Sequence, residues 1–201
     1  MLNVPIEDYL QNLLNQISRR SGEILCDYVL KYLQGRESLR SFSYGSNMNE
    51  SKFREDTRNC GYEFGLINVR KAVLKDYNRL LGNDSKNHGL AFTIHPSEGS
   101  CVEGICHDIP MKGLCSFLKK EGVLLSRPTY ELLAVSVQGE KSPILTLIGL
   151  KPSRIEMLSY LRKGKAYDYV RATIEGAQRW QVDYSDIKGT KERLEKELQE
   201  C

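Results

Sequence analysis

The chain has 201 residues, 40% of them hydrophobic and 27% charged, with a formal net charge of +3. That length allows one generous domain or a domain with an extension, and it suffices for a proper buried core. So small a net charge gives no support to nucleic-acid binding, and the lack of any run of about eighteen apolar residues excludes a membrane-spanning helix.

From Ile6 the apolar residues Ile6, Tyr9, Leu10, Leu13, Leu14 and Ile17 recur at helical spacing, and Ser18 to Gly22 ends the run. A second stripe, Ile24, Leu25, Tyr28, Val29, Tyr32 and Leu33, stops at Gly35. The two predict a helical hairpin, set apart as an N-terminal extension over 1–37 ahead of a main domain over 38–201. Its apolar faces must pack on the main body or on another subunit, which leaves a homodimer open.

Leu39 opens a short strand that leads into Phe42-Ser43-Tyr44-Gly45-Ser46-Asn47-Met48. Gly45 and Asn47 can take positive φ, and Asn49 is a good N-cap before Glu50, so strand, tight loop and helix are expected in that order. Such a loop can turn successive backbone N–H groups towards one point, with the helix N-terminus adding positive potential: an anion seat made of backbone. An ordinary strand-to-helix turn is the plain alternative, and the phosphate-loop spacing Gly-x-x-x-x-Gly-Lys-Ser/Thr is absent.

Further on, Tyr62 to Val73 reads as extended, and Gly82 to Gly89 reads as a surface loop before a strand from Leu90 to His95. Pro96 to Gly99 is expected to turn the chain back into a second strand, Val102 to Ile109. Met111, Leu114, Cys115 and Leu118 predict a helix that Gly122 stops, with Glu121 at its C-terminal end, where a carboxylate opposes the helix dipole. Strands follow around Thr129–Gln138 and Ser142–Leu150. A helix from Ser153 to about Arg162 and a loop through Gly164 lead to Tyr167-Asp168-Tyr169, and the segment from Tyr169 to Ala177 and a polar final helix from Lys191 close the chain. Strands interspersed with helices and two hairpins predict mixed α+β with a curled sheet or small barrel, not a regular parallel α/β fold.

The Tyr44-Gly45-Ser46-Asn47-Met48 stretch at the end of a first strand resembles the signature of the γ-glutamylcyclotransferase-like (AIG2-like) family. Order and spacing strengthen the resemblance: Gly89-Leu90-Ala91-Phe92-Thr93-Ile94, then Val102-Glu103-Gly104-Ile105, then a short helix ending in Lys120-Glu121-Gly122-Val123, then a strand bearing Tyr130. Tyr169 with Ile174-Glu175-Gly176-Ala177 is similar to the tail of the animal members. The resemblance covers roughly Leu39 to Ala177, and the hairpin before it has no counterpart in the minimal core.

What the resemblance implies is a small mixed β-barrel with flanking helices that uses no metal and no cofactor. It would convert a γ-glutamyl amine or amino acid into 5-oxoproline and release the amine. Tyr44, Gly45, Ser46 and Asn47 match the substrate-binding loop, and Glu121 matches the catalytic acid/base. By the same resemblance Tyr130 and Tyr169 would be the substrate-binding tyrosines, although Tyr130 follows Glu121 later than the family's active-site tyrosine does, with Ser126-Arg127-Pro128 intervening.

The residues suit that chemistry. Cyclisation needs a base for one proton on nitrogen and an acid for the leaving amine, and one carboxyl group can serve as both in turn. Attack is intramolecular, so the chief gain comes from holding a folded, near-attack conformer.

Other chemistries fare worse. Ser46 is not in a Gly-x-Ser-x-Gly elbow, and nothing in the sequence sets His88, His95 or His107 beside it. Cys101, Cys106 and His107 alternate faces on a strand, which argues against a metal site. The six cysteines, Cys26, Cys60, Cys101, Cys106, Cys115 and Cys201, include no Cys-x-x-Cys pair and read as free thiols. Met1 to Asp8 carries acids and no basic lead, so a cytoplasmic location is expected. The basic run Arg162-Lys163-Gly164-Lys165 reads as a solvated loop. The expected partner is a small γ-glutamyl substrate, with no nucleic acid and no membrane. A non-catalytic carboxylate-binding or protein-interaction module on the same fold is the alternative, favoured by the added hairpin and the displaced Tyr130.

Overall fold

A computed structural model describes residues 37–123 and 127–199. The predicted N-terminal hairpin, with its stripe from Tyr9 to Tyr32, lies outside the described residues. Among the described residues five strands form one sheet in the order β2-β3-β1-β5-β4. They are β1 (Ser38–Ser43), β2 (Ile67–Ser85), β3 (Gly89–Pro110), β4 (Tyr130–Val135) and β5 (Ile144–Gly149). Every neighbouring pair is antiparallel except β1 and β5, which run parallel.

The α-helices among the described residues are α1 (Glu50–Asn59), α2 (Leu114–Lys120), α3 (Tyr160–Arg179) and α4 (Ser185–Gln199). None of the described helices is long and apolar enough to cross a membrane.

The sheet curls until its edges meet at two points. Leu74 of β2 bridges Val137 just after β4, and Asn83 of β2 bridges Pro152 just after β5. These are single bridges and not a ladder, so the expected barrel is an open one. The core on its two faces is apolar: Phe42, Leu74, Ile94, Ile105 and Ile144 are all buried. On the α1 side, Phe53 stacks edge-on against Phe64 and against the His107 ring, with centroids 5.3 and 5.4 Å away. Losing a buried phenylalanine of this kind costs about 3–5 kcal/mol.

Two expected turns belong to strands instead. Gly82 to Ser85 continues β2, and the chain reverses only at Lys86–His88, with Ser85 paired to Gly89. Pro96 to Gly99 likewise lies within β3. The turn chemistry there is absorbed as a bulge: the register shifts between Lys75 and Tyr77, Asp76 and Gly99 both take positive φ, and the Gly99 N–H donates to Asp76 Oδ1 at 3.0 Å. Proline is tolerated where a bulge relieves the ladder of a donor.

A third correction concerns the C-terminal region. The helix predicted from Ser153 to about Arg162 begins as a 3-10 turn, Ile155–Met157, with only its last residues in α3, and the loop expected through Gly164 lies inside α3. The basic run Arg162 to Lys165 is therefore helical, and Lys163 is buried. The final helix also begins earlier than expected, at Ser185. Cys106 and His107 are both buried, because β3 is covered on both faces there, while Cys101 is exposed.

Candidate active site

β1 delivers its last residues into a 3-10 turn, Ser46–Met48, held by Met48 N–H to Gly45 O and Asn49 N–H to Ser46 O, both 3.0 Å. Asn49 then caps α1, its side chain accepting from the Lys52 N–H at 3.2 Å. The expected strand, loop and helix are present, but positive φ is not. Gly45 has φ −128°, and Asn47 is not among the positive-φ residues. Glycine is required at 45 for space: a Cβ there would lie 2.6 Å from the Tyr169 hydroxyl.

Three residues distant in sequence hold this turn in place. The indole N–H of Trp180, at the end of α3, donates to Met48 O at 2.9 Å. Gly176 lets α3 approach so closely that a Cβ would meet Asn49 N at 2.5 Å. Arg79 of β2, its side chain 2% exposed, donates through Nη1 to Tyr44 O at 2.9 Å and forks onto Asp186 of α4 at 2.8 and 2.6 Å.

Glu121 caps the C-terminus of α2. Gly122 follows with φ +68°, its N–H bonding Lys119 O while the Val123 N–H bonds Leu118 O, both at 3.0 Å. That pair of bonds is a Schellman motif, the reason a glycine stands directly after the glutamate. The motif also turns the Glu121 side chain back towards the 3-10 turn.

Glu121 and the turn line one cavity of about 700 Å³. Tyr44, Gly45, Ser46, Asn47, Tyr130 and Tyr169 line it as well, so the structure brings together all seven residues singled out in the sequence. The contact between carboxylate and loop runs through a side chain and not through backbone N–H: Asn47 Nδ2 donates to Glu121 Oε1 at 2.8 Å. Sequence reasoning missed what else meets that oxygen. Lys120 Nζ donates to it at 2.7 Å and also donates to Asn47 Oδ1, with the Lys120 side chain only 8% exposed.

The three tyrosines address backbone. Tyr44 donates to Leu147 O at 2.5 Å and Tyr130 to Phe92 O at 2.9 Å, while the Tyr169 hydroxyl accepts from the Phe92 N–H at 3.2 Å. Tyr130 and Tyr169 thus satisfy both polar groups of Phe92, whose Cα partner on β2 is Leu81 and which lies before the stretch of β3 that pairs with β1. Burial raises the phenols of Tyr44 and Tyr130 well above their usual range and that of Tyr169 to about 12, so all three stay protonated.

His88, on the β2–β3 turn, also lines the cavity, its ring centroid 5.0 Å from that of Tyr169. Burial, with Lys52 and Lys120 nearby, lowers it to about 4 and keeps it neutral.

A serine and a histidine do meet, though the serine is not Ser46: Ser43 Oγ lies 2.9 Å from His107 Nε2. Both are buried, His107 is lowered to about 3 chiefly by burial, and its Nδ1 makes no hydrogen bond to a carboxylate. Without an orienting acid the pair lacks the make-up of a nucleophilic triad. No group of metal-ligating side chains occurs among the described residues.

No protein-family model matches the sequence, and no curated protein is significantly similar to it. Solved structures are similar in fold. YkqA from Bacillus subtilis superposes with a TM-score of 0.57 at 20% identity, over 86% of this chain; the chain spans only 58% of YkqA's length. A γ-glutamyl cyclotransferase superposes with a TM-score of 0.57 at 19% identity, over 82% of this chain and 100% of its own. A yeast γ-glutamyl cyclotransferase specific to glutathione does so with a TM-score of 0.51 at 12% identity, over 80% and 97%.

Proposed function

On the γ-glutamyl cyclotransferase fold that these likenesses give the chain, we propose that it is an enzyme converting a γ-glutamyl amine or amino acid into 5-oxoproline. One observation carries the reading: a carboxylate on a helix C-cap and the Tyr44–Asn47 turn, far apart in sequence, line the same cavity and are joined at 2.8 Å. The γ-glutamyl group folds in the cavity with its α-amine against its own γ-carbonyl. Glu121 takes a proton from the attacking nitrogen as the ring C–N bond forms. It returns that proton to the leaving nitrogen as the second C–N bond breaks, so no water or cofactor is consumed. Backbone N–H groups of the turn receive the substrate carboxylate or the developing oxyanion. Tyr44, Tyr130 and Tyr169 act as walls and remain neutral throughout.

A second reading is that the cavity binds a carboxylate without turnover, and the ion pair already made by Glu121 with Lys120 favours it. One experiment separates the two. Purified protein is incubated with a panel of γ-glutamyl amino acids, γ-glutamyl amines and glutathione, and 5-oxoproline release is measured beside calorimetric binding. Release from any member supports the enzyme. Binding without release supports the second reading, and neither removes both.

A further inference from the structure

Lys120 has no place in the scheme above, yet its position is costly. Lysine is almost never buried unless paired, and taking an ammonium out of water costs several kcal/mol. Here the partner is the carboxylate of the next residue. Adjacent residues of a helix do not face one another, so the contact depends on Glu121 leaving the helix as its cap, with ψ −5°.

Lys120 Nζ, Asn47 and Glu121 close a ring of three hydrogen bonds: Lys120 to Glu121 Oε1, Lys120 to Asn47 Oδ1, and Asn47 Nδ2 to Glu121 Oε1. The chemistry of the groups permits one orientation of the amide. An ammonium only donates and an ionised carboxylate only accepts, so Oδ1 must face Lys120 and Nδ2 must face Glu121. The ammonium also sits 5.2 Å from the centroid of the Phe53 ring, which gives it a cation–π contact. Both donors go to Oε1 and neither takes Oε2.

We propose that Lys120 is a positioning residue for Glu121. Its buried ammonium clamps Oε1 and the Asn47 amide in one geometry and leaves Oε2 as the oxygen that exchanges protons with the substrate. The proposal rests on Glu121 being the acid/base. It assigns the precision of that group to a lysine whose neighbours are a cap, a loop amide and a phenyl ring.

The test uses the full chain with one accepted γ-glutamyl substrate. Lys120→Met keeps the apolar stem and removes the clamp; kcat should fall about 10²-fold, as misplacement of a reacting group does, with KM nearly unchanged. Adding Lys120→Met to Glu121→Gln should cost nothing further, because the lysine acts through that carboxylate. In Lys120→Ala, propylammonium should restore part of kcat with saturation, whereas tetramethylammonium, which has no N–H to donate, should not. If Lys120→Met does not fold, Lys120→Gln takes its place in both arms. An unchanged kcat in the folded variant, an equal loss in the Glu121→Gln background, or equal rescue by both ammonium ions overturns the proposal. A wild-type protein that forms no 5-oxoproline from any γ-glutamyl compound removes the acid/base reading first and this proposal with it.

Discussion

The Tyr169 hydroxyl occupies the space that a side chain at Gly45 would need, 2.6 Å from the position of its Cβ, so a residue in the middle of α3 fixes what the turn after β1 can be. The next atom of the ring, Cζ, stands at an ordinary 3.7 Å. The conflict is therefore with one oxygen. Gly45→Ala should destabilise the protein by roughly 1–3 kcal/mol through overpacking and slow turnover by displacing the ring. Tyr169→Phe alone should cost about 1 kcal/mol by leaving the Phe92 N–H without its acceptor, and the double variant should be more stable than the sum of the two losses. Thermal melting of the four proteins checks this.

Glu121→Gln should lose turnover by about 10²–10⁴-fold or more while keeping substrate affinity, since glutamine preserves the volume and a hydrogen-bonding end but accepts no proton at neutral pH. Ser46→Ala should do far less, because the turn contributes its backbone. Rates of 5-oxoproline formation decide the matter. Equal loss in the two variants would point to serine chemistry, and an active Glu121→Gln protein would remove the mechanism.

Arg79 ties together β2, the carbonyl of Tyr44 and Asp186 of α4. Arg79→Met should destabilise by about 2–3 kcal/mol: it strips a buried carbonyl of its donor, while the half-exposed Asp186 recovers in water. Arg79→Lys should recover little, since a single ammonium cannot reproduce the bidentate fork. Urea denaturation of the three proteins gives the comparison, and full rescue by lysine would refute the fork as the source of stability.

His107 supplies a pH dependence. Its folded value of about 3 lies below the ordinary 6.5, so the unfolded chain takes up a proton that the folded chain refuses. That stabilisation is fully present above about 6.5 and drains as pH falls towards 3, at about 1.4 kcal/mol per pH unit for one proton. His88, lowered to about 4, adds a second proton over the upper part of the same window. His107→Gln should roughly halve the slope of stability against pH near pH 5, measured by denaturant unfolding. An unaltered slope would show that His107 is protonated in the folded state.

Much of the site was legible in the chain because it is written in local chemistry. Asn49 before Glu50 is a favoured N-cap by residue type, and Gly122 after Glu121 is a helix stop with the positive φ that only glycine takes without cost. The order of the motifs carried the rest of the resemblance. Turn residues misled at Pro96–Gly99, because a long ladder with β2 can absorb them as a bulge, and the strength of that ladder depends on residues some twenty positions away. A loop was expected through Gly164 because glycine weakens the helical signal locally, yet burial of Ala166, Val170 and Thr173 makes the segment a helix.

What the sequence by itself determined is the set of local instructions: where the strand before Tyr44 stops, where α1 begins, and that a glutamate stands on the last turn of a helix. Only the tertiary structure decided which groups meet. Lys120 and Arg79 look like ordinary surface cations in the chain, because their burial is set by partners on other elements. Gly45 needs glycine because of an oxygen 124 positions away, and not because of its own backbone angles. Local propensity is a property of neighbours along the chain, whereas exclusion of water and close approach are properties of the assembled sheet and helices, and the acid/base geometry proposed here belongs to the second kind.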